Sequence, residues 1–218
     1  MLYNLIILPI ELIVDWVFSF FYNTFSHYGV ITAIFGVSFT INLLALPLYN
    51  VADALQEKER QAARLLAERV KRIKKAFKGD EQFMMLSTYY RQNNYHPLYV
   101  LRSSLSILIE IPFFIAAYHF LSHCEVLNGA KFWIFSDLGK PDGFFHIGAF
   151  QVNVLPILMT AINFVSGAVY TKEAPAREKI QLYAVAMIFL VLLYYSPSGL
   201  VLYWILNNIF SLIKNIVK

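Results

Sequence analysis

Ionisable and hydroxyl side chains lie inside a long apolar stretch of this sequence, and their spacing indicates a shared surface. Glu110 falls within the apolar run 98–121, and Ser106 and Arg102 precede it at intervals of four residues. A spacing of four returns to the same face of an α-helix, so the three side chains are predicted to form one polar stripe. In a lipid-embedded helix an ionisable group costs roughly 2.5–3.5 kcal/mol, which favours a functional role for such a stripe.

Uncharged hydrogen-bonding side chains recur at comparable depth in the other apolar runs. If their faces converge with the polar stripe, they line a wet cavity that reaches partway into the chain's helical bundle. The alternative is ordinary hydrogen bonding between neighbouring helices. The residues are Thr40, Asn42, Asn163, Ser166, Asn207 and Asn208.

Motifs for catalysis or cofactor binding are not found in the sequence. It contains no Walker loop, dinucleotide glycine motif or nucleophile elbow, and Cys124 is its single cysteine. His119 and His123 have the spacing of a helical metal-ligand pair, but polar anchoring at an interface is the favoured interpretation. An intramembrane enzyme using Glu110 with His119 is disfavoured, because nine residues on one helix separate them. We predict no enzymatic activity, no metal and no cofactor.

The composition requires a lipid environment. Hydrophobic residues make up 58% of the 218 residues and charged residues only 15%, which is too apolar for an ordinary soluble domain. Five apolar runs approach the roughly 17–25 residues needed to span the hydrocarbon, and the last two are short enough to favour a locally thinned bilayer. The predicted spans are 30–48, 98–121, 152–169, 180–195 and 200–216.

The N-terminal segment 1–25 is predicted to be an interfacial amphipathic helix. Four polar residues recur at spacings of four or seven and so share one helical face, while apolar residues cover the rest. The alternative is a sixth span, for which the run is long enough. A removable signal peptide is not expected, because no Lys or Arg precedes the apolar run. The polar residues are Asn4, Glu11, Asp15 and Ser19.

Charge distribution predicts the orientation of the spans. The loop 50–97 holds ten Lys and Arg against six Asp and Glu, whereas the loop 122–151 holds two against three. The positive-inside rule places the first loop and the C-terminus in the cytosol and the second loop outside. Basic residues clustered in this way indicate orientation in a membrane rather than binding to a specific nucleic acid.

The cytosolic loop is predicted to form a helical hairpin. Apolar residues recur at near-heptad spacing from Leu55 to Phe77, the turn residues 78–80 follow, and a second apolar pattern returns. The alternative is a solvated linker of moderate helicity. The hairpin, from Asp53 to Gln92, is the candidate docking element. Its clustered basic residues are Arg64, Arg69, Lys71, Arg72, Lys74 and Lys75.

Several motifs resemble one family of membrane proteins, the YidC/Oxa/Alb insertases. The segment SPSGLVLYWILNNIFSLIKN, 196–215, is similar to the last span of that family, and ILIEIPFFIAAYHFL, 107–121, to its second. The outer-loop motif FWIFSDLGKPD and the third-span motif LPILMTAINF also resemble family patterns. The order of an interfacial helix, one span, a cytosolic hairpin and four further spans is similar as well, so the likeness covers nearly the whole chain.

The resemblance implies an insertase that works without nucleotide in a bacterial plasma membrane. A groove open to the cytosol and to lipid would receive the hydrophilic flank of a newly made membrane protein, and Tyr203 and Trp204 match the family's client-facing aromatic pair. Clients and the lipid bilayer are the expected partners, with docking of ribosomes or a translocon left open. The groove lining would comprise Asn42, Arg102, Ser106, Glu110, Asn163 and Asn207.

The sequence also departs from the family pattern. The family usually has an arginine five residues before the first-span proline, where this chain has Asn42 before Pro47, and a glutamine where it has Glu110 before Pro112. Either Arg102 supplies the cation or the clients differ. The alternative function is a dedicated partner subunit, or a lipid-perturbing, scramblase-like transporter, that keeps the insertase fold.

Overall fold

Helices form nearly all the regular structure of this chain. The computed structural model describes residues 3–96, 105–148, 150–170 and 176–217, and within them all side chains except those of residues 105–108, 147, 150, 170, 177, 178, 215 and 217. A π-helical turn, Tyr3–Ile7, leads into the first helix. The helices are α1 (Leu8–Thr24), α2 (Val30–Ala76), α3 (Gly79–Gln92), α4 (Leu105–Ser122), α5 (Val154–Tyr170), α6 (Ala176–Leu193) and α7 (Ser198–Val217).

A short antiparallel ribbon precedes α5. Strand β1 (Phe145–Ile147) pairs with β2 (Phe150–Val152), with His146 opposite Gln151. At the turn Gly148 has a φ of +64°, a left-handed conformation that glycine adopts without steric cost. The described part of the chain is otherwise helix, turn and loop, so the all-α prediction is confirmed.

The helices lie where the apolar runs predict them, but α2 extends much further than the first predicted span. It continues through Pro47 and takes in the first arm of the charged loop. The residues beyond Pro47 are rich in Ala, Leu, Glu, Gln, Lys and Arg, which are strong helix formers, so the helix does not end at the membrane boundary. Two helical stretches are long and apolar enough to cross a membrane, Tyr3–Thr24 and Val30–Ala76. Four shorter apolar helices follow, and the number of spans stays a prediction.

The chain divides into two compact units. Residues 1–44 and 112–218 form the first, and residues 45–111 form the second. The first unit holds a single hydrophobic core to which α1, α2, α4, α5, α6, α7 and the loop after α4 all contribute. Its largest fully buried side chains include Tyr203, Ile34, Leu121, Leu127 and Met159.

Helix α1 packs into this core along one side. Val14, Val17 and Phe18 are buried, whereas Leu12 and Trp16 on the other side are 60% and 69% exposed. The exposed side is apolar, as expected of a helix in contact with lipid. Both the interfacial and the spanning interpretation of α1 agree with this packing.

In the second unit α3 makes hydrogen bonds to the end of α2. Gln82 of α3 donates its Nε2 proton to the carbonyl oxygens of Phe77, at 2.7 Å, and Lys74, at 3.1 Å. Further along, the Tyr95 hydroxyl hydrogen-bonds to the Glu59 carboxylate of α2, 36 residues earlier in the chain. The contact of Tyr95 joins the segment after α3 to the middle of α2, and the contacts of Gln82 join α3 to the end of α2.

Candidate functional site

Three polar side chains meet between α2 and α7 in the first unit. The Asn207 Oδ1 atom accepts two hydrogen bonds, from Ser38 Oγ and from Asn42 Nδ2, both at 2.6 Å. Ser38 is fully buried, and Asn42 and Asn207 are half-buried. We call Ser38, Asn42 and Asn207 the polar triad.

The geometry of α2 brings the two donors of the polar triad together. Ser38 and Asn42 are four residues apart, so they lie on one face, and Asn42 Nδ2 also donates to the Ser38 carbonyl oxygen at 2.8 Å. The neighbouring Val37 and Ile41 are buried in the apolar core. A polar group in such surroundings is costly unless it is hydrogen-bonded, and here the Ser38 hydroxyl and the Asn42 amide both meet an acceptor.

An aromatic cluster forms around Trp204 of α7, which lies about one turn before Asn207. The Trp204 ring stacks on Phe189 of α6 and meets Phe114 of α4 edge to face, with both ring centroids 4.9 Å away. We call Phe114, Phe189 and Trp204 the aromatic wall. Tyr203 and Trp204 are only 1% and 6% exposed, so both belong to the packed interior of the unit. Their contact with clients stays a prediction.

The loop after α4 is fastened to the start of α7. The Lys140 carbonyl oxygen accepts hydrogen bonds from Ser198 Oγ at 2.6 Å and from the Ser198 amide at 2.8 Å, and the Leu138 carbonyl oxygen accepts one from the Gly199 amide at 2.9 Å. The first amide groups of a helix have no partners within the helix, so the loop satisfies them. The close approach favours glycine at position 199, since a Cβ would lie 3.1 Å from the Leu127 side chain and 3.3 Å from the Leu138 oxygen.

The same loop also covers the start of α5. Asp142 Oδ2 accepts the amide of Val154 at 2.5 Å and that of Leu155 at 3.3 Å, as expected for a carboxylate at a helix N-terminus. The buried Asn153 donates its Nδ2 proton to the Tyr194 carbonyl oxygen at 2.7 Å. Residues 138–142 therefore connect the starts of α5 and α7, and Asn153 joins the start of α5 to the residue that follows α6. We call residues 138–142 the cap.

Asp137 organises the turn that precedes this cap. Its Oδ1 accepts the Gly129 amide at 2.8 Å and the Gly139 amide at 2.9 Å, and Lys140 Nζ lies 3.1 Å from Oδ2. The backbone hydrogen bond from Gly129 is the largest cause that holds the pKa of Asp137 below its ordinary value. Lys140 and the Gly139 amide add to it and outweigh the opposing effect of desolvation.

Comparison with known proteins identifies the family of this chain. The model of the family described as 60Kd inner membrane protein matches residues 20–218. The chain belongs to this family. Its curated relatives in the 60Kd inner membrane protein family include proteins named Membrane protein insertase YidC. That of Francisella philomiragia is 32% identical over 93% of this chain, and that of Vesicomyosocius okutanii 27% over 94%.

The chain spans about a third of the length of these relatives, since the matched region is 34% of each. In this chain the polar triad, the aromatic wall and the cap all lie within the residues 20–218 that the family model matches. Together with the apolar helices, family membership supports a membrane location.

The other predicted site residues do not join the polar triad in the described part of the chain. Asn163 is half-buried on α5 and takes no part in the polar triad, and Glu110 is half-buried on α4 in the second unit. Arg102 lies outside the described residues, and so does the side chain of Ser106. The basic residues predicted for docking are all exposed, namely Arg64, Arg69, Lys71, Arg72, Lys74 and Lys75.

Sequence reasoning missed a polar contact between α1 and α4. Glu11 Oε1 lies 2.6 Å from His119 Nδ1, and the Tyr3 hydroxyl donates to Glu11 Oε2 at 2.8 Å. The sequence singled out Glu11 and His119 separately, but 108 residues separate them and no local spacing relates the two. Among the described residues, no group of three or more His, Cys, Asp and Glu side chains could hold a metal ion.

Proposed function

We propose that this chain is a membrane protein insertase that receives the hydrophilic flank of a client and releases its apolar helix into lipid. The observation that carries the proposal is the polar triad, which joins α2 and α7 inside otherwise apolar helices of a family whose relatives are named insertases. Hydrogen-bonding groups at this depth lower the cost of moving polar atoms through the hydrocarbon.

The mechanism we propose is solvation, without nucleotide or covalent chemistry. A client span of twenty Leu-like residues gains about 10 kcal/mol on entering lipid, at roughly 0.5 kcal/mol each. The insertase then has only to lower the barrier for the polar flank. The proposed groove lining is Asn42, Arg102, Ser106, Glu110, Asn163 and Asn207, with Tyr203 and Trp204 as client contacts.

We propose that the groove opens to the cytosol and is closed on the outer side. The cap supports closure, because its backbone hydrogen bonds to Ser198 and Gly199 fasten the loop after α4 across the start of α7. Charge supports the orientation, since ten of the eighteen Lys and Arg residues lie between Lys58 and Arg91 and would remain in the cytosol.

The proposed topology has five spans, an interfacial α1 and a cytosolic hairpin formed by the end of α2 and by α3. The contacts of Tyr95 with Glu59 and of Gln82 with Phe77 support the hairpin. Its exposed basic side chains offer a docking surface. The partners we propose are newly made membrane proteins and the bilayer.

Insertion into proteoliposomes tests the proposal. Vesicles that contain the purified chain should protect the translocated flank of a small single-span client from added protease, and vesicles without it should not. Asn42→Leu should lower the yield about fivefold, the factor expected for the loss of one hydrogen bond of about 1 kcal/mol. Leu43→Ala is the matched control, because its side chain on the same helix is 55% exposed. Equal insertion with and without the chain would refute the function.

A further inference from the structure

The two adjacent asparagines of α7 have different surroundings. Asn207 is engaged through the two hydrogen bonds that its Oδ1 accepts in the polar triad. The Nδ2 atom of Asn208 is buried and has no hydrogen-bond partner among the described residues. Among the described residues, Ser122 Oγ at the end of α4 is the other buried side-chain atom without a hydrogen-bond partner. A buried donor without an acceptor destabilises a fold, and its presence in a native protein calls for an explanation.

Helical spacing places Asn208 beside the aromatic wall. It follows Trp204 by four residues, so the two side chains lie on the same face of α7, one turn apart. Trp204 is the centre of the wall, in contact with Phe114 and Phe189. The Nδ2 atom of Asn208 therefore lies beside a packed apolar cluster, and no acceptor among the described residues reaches it.

We propose that Asn208 is a client-binding residue whose Nδ2 donates a hydrogen bond to a carbonyl oxygen of the client backbone. This inference deepens the proposed function and rests on it. An extended flank presents one carbonyl oxygen per residue whatever its sequence, so a single amide donor can serve many clients. In low-dielectric surroundings that hydrogen bond is stronger than in water. The energetic penalty of the unpaired amide in the empty state is relieved when a client is bound.

Asn208→Leu separates a binding role from a structural one. Leu removes the unpaired donor, so thermal stability in detergent should be unchanged or higher, while client insertion in proteoliposomes should fall about fivefold. Asn207→Leu is the matched control on the adjacent residue, and it should lower thermal stability because Ser38 and Asn42 lose their acceptor. Asn208→Met provides a second apolar variant of flexible shape that should behave like Asn208→Leu.

The outcomes distinguish this inference from the proposed function. If the wild-type chain inserts the client and Asn208→Leu and Asn208→Met insert it equally well, the inference alone is overturned. It is also overturned if Asn208→Leu loses as much thermal stability as Asn207→Leu. Failure of the wild-type chain to insert any client overturns both. A lipid ester carbonyl is the other source of the same acceptor. If the effect of Asn208→Leu disappears in ether-linked phospholipids, which have no such carbonyl, the acceptor belongs to lipid and the inference is wrong.

Discussion

Asn42 holds α2 to α7 with a neutral hydrogen bond at a position where an arginine is usual in the family that the sequence resembles. A guanidinium at the centre of a span costs roughly 2.5–3.5 kcal/mol on insertion scales, whereas hydrogen bonds between membrane helices contribute about 0.6 kcal/mol on average. The amide thus avoids a large cost and retains a contact with Asn207. The polar triad serves helix association as well as the proposed hydration of the groove.

Removal of one donor of the polar triad should weaken the association of α2 with α7. Ser38→Ala is expected to lower the free energy of unfolding by about 0.6–1.7 kcal/mol, the range measured for hydrogen bonds between membrane helices. A double-mutant cycle with Asn207→Ala, followed by unfolding in detergent, measures the coupling. Ser19→Ala on the exposed side of α1 is the control. Additive effects in the cycle would show that Ser38 and Asn207 do not interact.

Protonation of Asp137 should loosen the turn before the cap. Its pKa is lowered in the folded chain, so its stabilising contribution is fully present above the unfolded pKa of about 3.9 and is lost as the pH falls through the folded value. Hydrogen exchange should show the protection of the Gly129 and Gly139 amides falling in this acid range. Asp137→Asn should remove that pH dependence, and an unchanged acid profile in this variant would contradict the assignment.

At the scale of elements, α1 is held to the rest of the first unit by close packing against α2 and by a polar contact with α4. Gly36 of α2 faces the ring of Phe21 in α1, and a Cβ at position 36 would overlap that ring. The Glu11 contact with His119 joins the same helix to α4. Through these two contacts α1 packs against the rest of the first unit, while the other side of the helix is exposed and apolar.

A methyl group at position 36 should separate α1 from α2. Gly36→Ala is expected to lower the free energy of unfolding by about 1–3 kcal/mol, because the ring of Phe21 must move within a filled core. Gly167→Ala is the matched control on α5, since its nearest atom is the flexible end of the Leu182 side chain, which can move aside. Thermal unfolding in detergent compares the two variants. Equal stability would mean that Phe21 moves without cost.

At the scale of the whole molecule, the two units differ in how many side chains their helices bury. The first has one core to which six helices contribute, whereas no residue of α3 in the second unit is buried. Regions with few buried apolar contacts open locally at a lower free energy. The polar triad, the aromatic wall and the cap all belong to the first unit, the one that holds the hydrophobic core.

Hydrogen exchange should reveal this difference directly. The amides of α3 are expected to exchange at least tenfold faster than those of α7, because no side chain of α3 is itself buried, whereas α7 contributes buried side chains to the core. Mass spectrometry of exchanged peptides measures both helices in one sample. Tyr95→Phe should accelerate exchange further at the end of α3 by removing the contact with Glu59. Equal protection of α3 and α7 would contradict this account.

Local patterns in the sequence predicted the helices and the polar positions. Hydropathy placed both ends of α5, α6 and α7 to within four residues, and it identified Asn42 and Asn207 as polar residues within apolar runs. The sequence predicted the first span, 30–48, and a helix from Leu55 to Phe77 as separate elements, whereas α2 joins both in one helix, because hydropathy marks where an apolar run ends and not where a helix ends. Helical propensity beyond Pro47 was the signal that indicated the continuation.

Partners far apart in the chain were decided by the tertiary structure alone. Neither the contact of Glu11 with His119 nor that of Ser38 and Asn42 with Asn207 follows from spacing, because the rotation of each helix about its axis depends on how the whole unit packs. The same rotation gives Asn207 two donors and leaves the Nδ2 atom of Asn208 without a hydrogen-bond partner in the part of the chain that the structure describes. The sequence by itself determined which residues are polar within apolar helices, because hydropathy and period are local properties. Only packing determined which of them meet, because each contact requires two distant surfaces to be complementary.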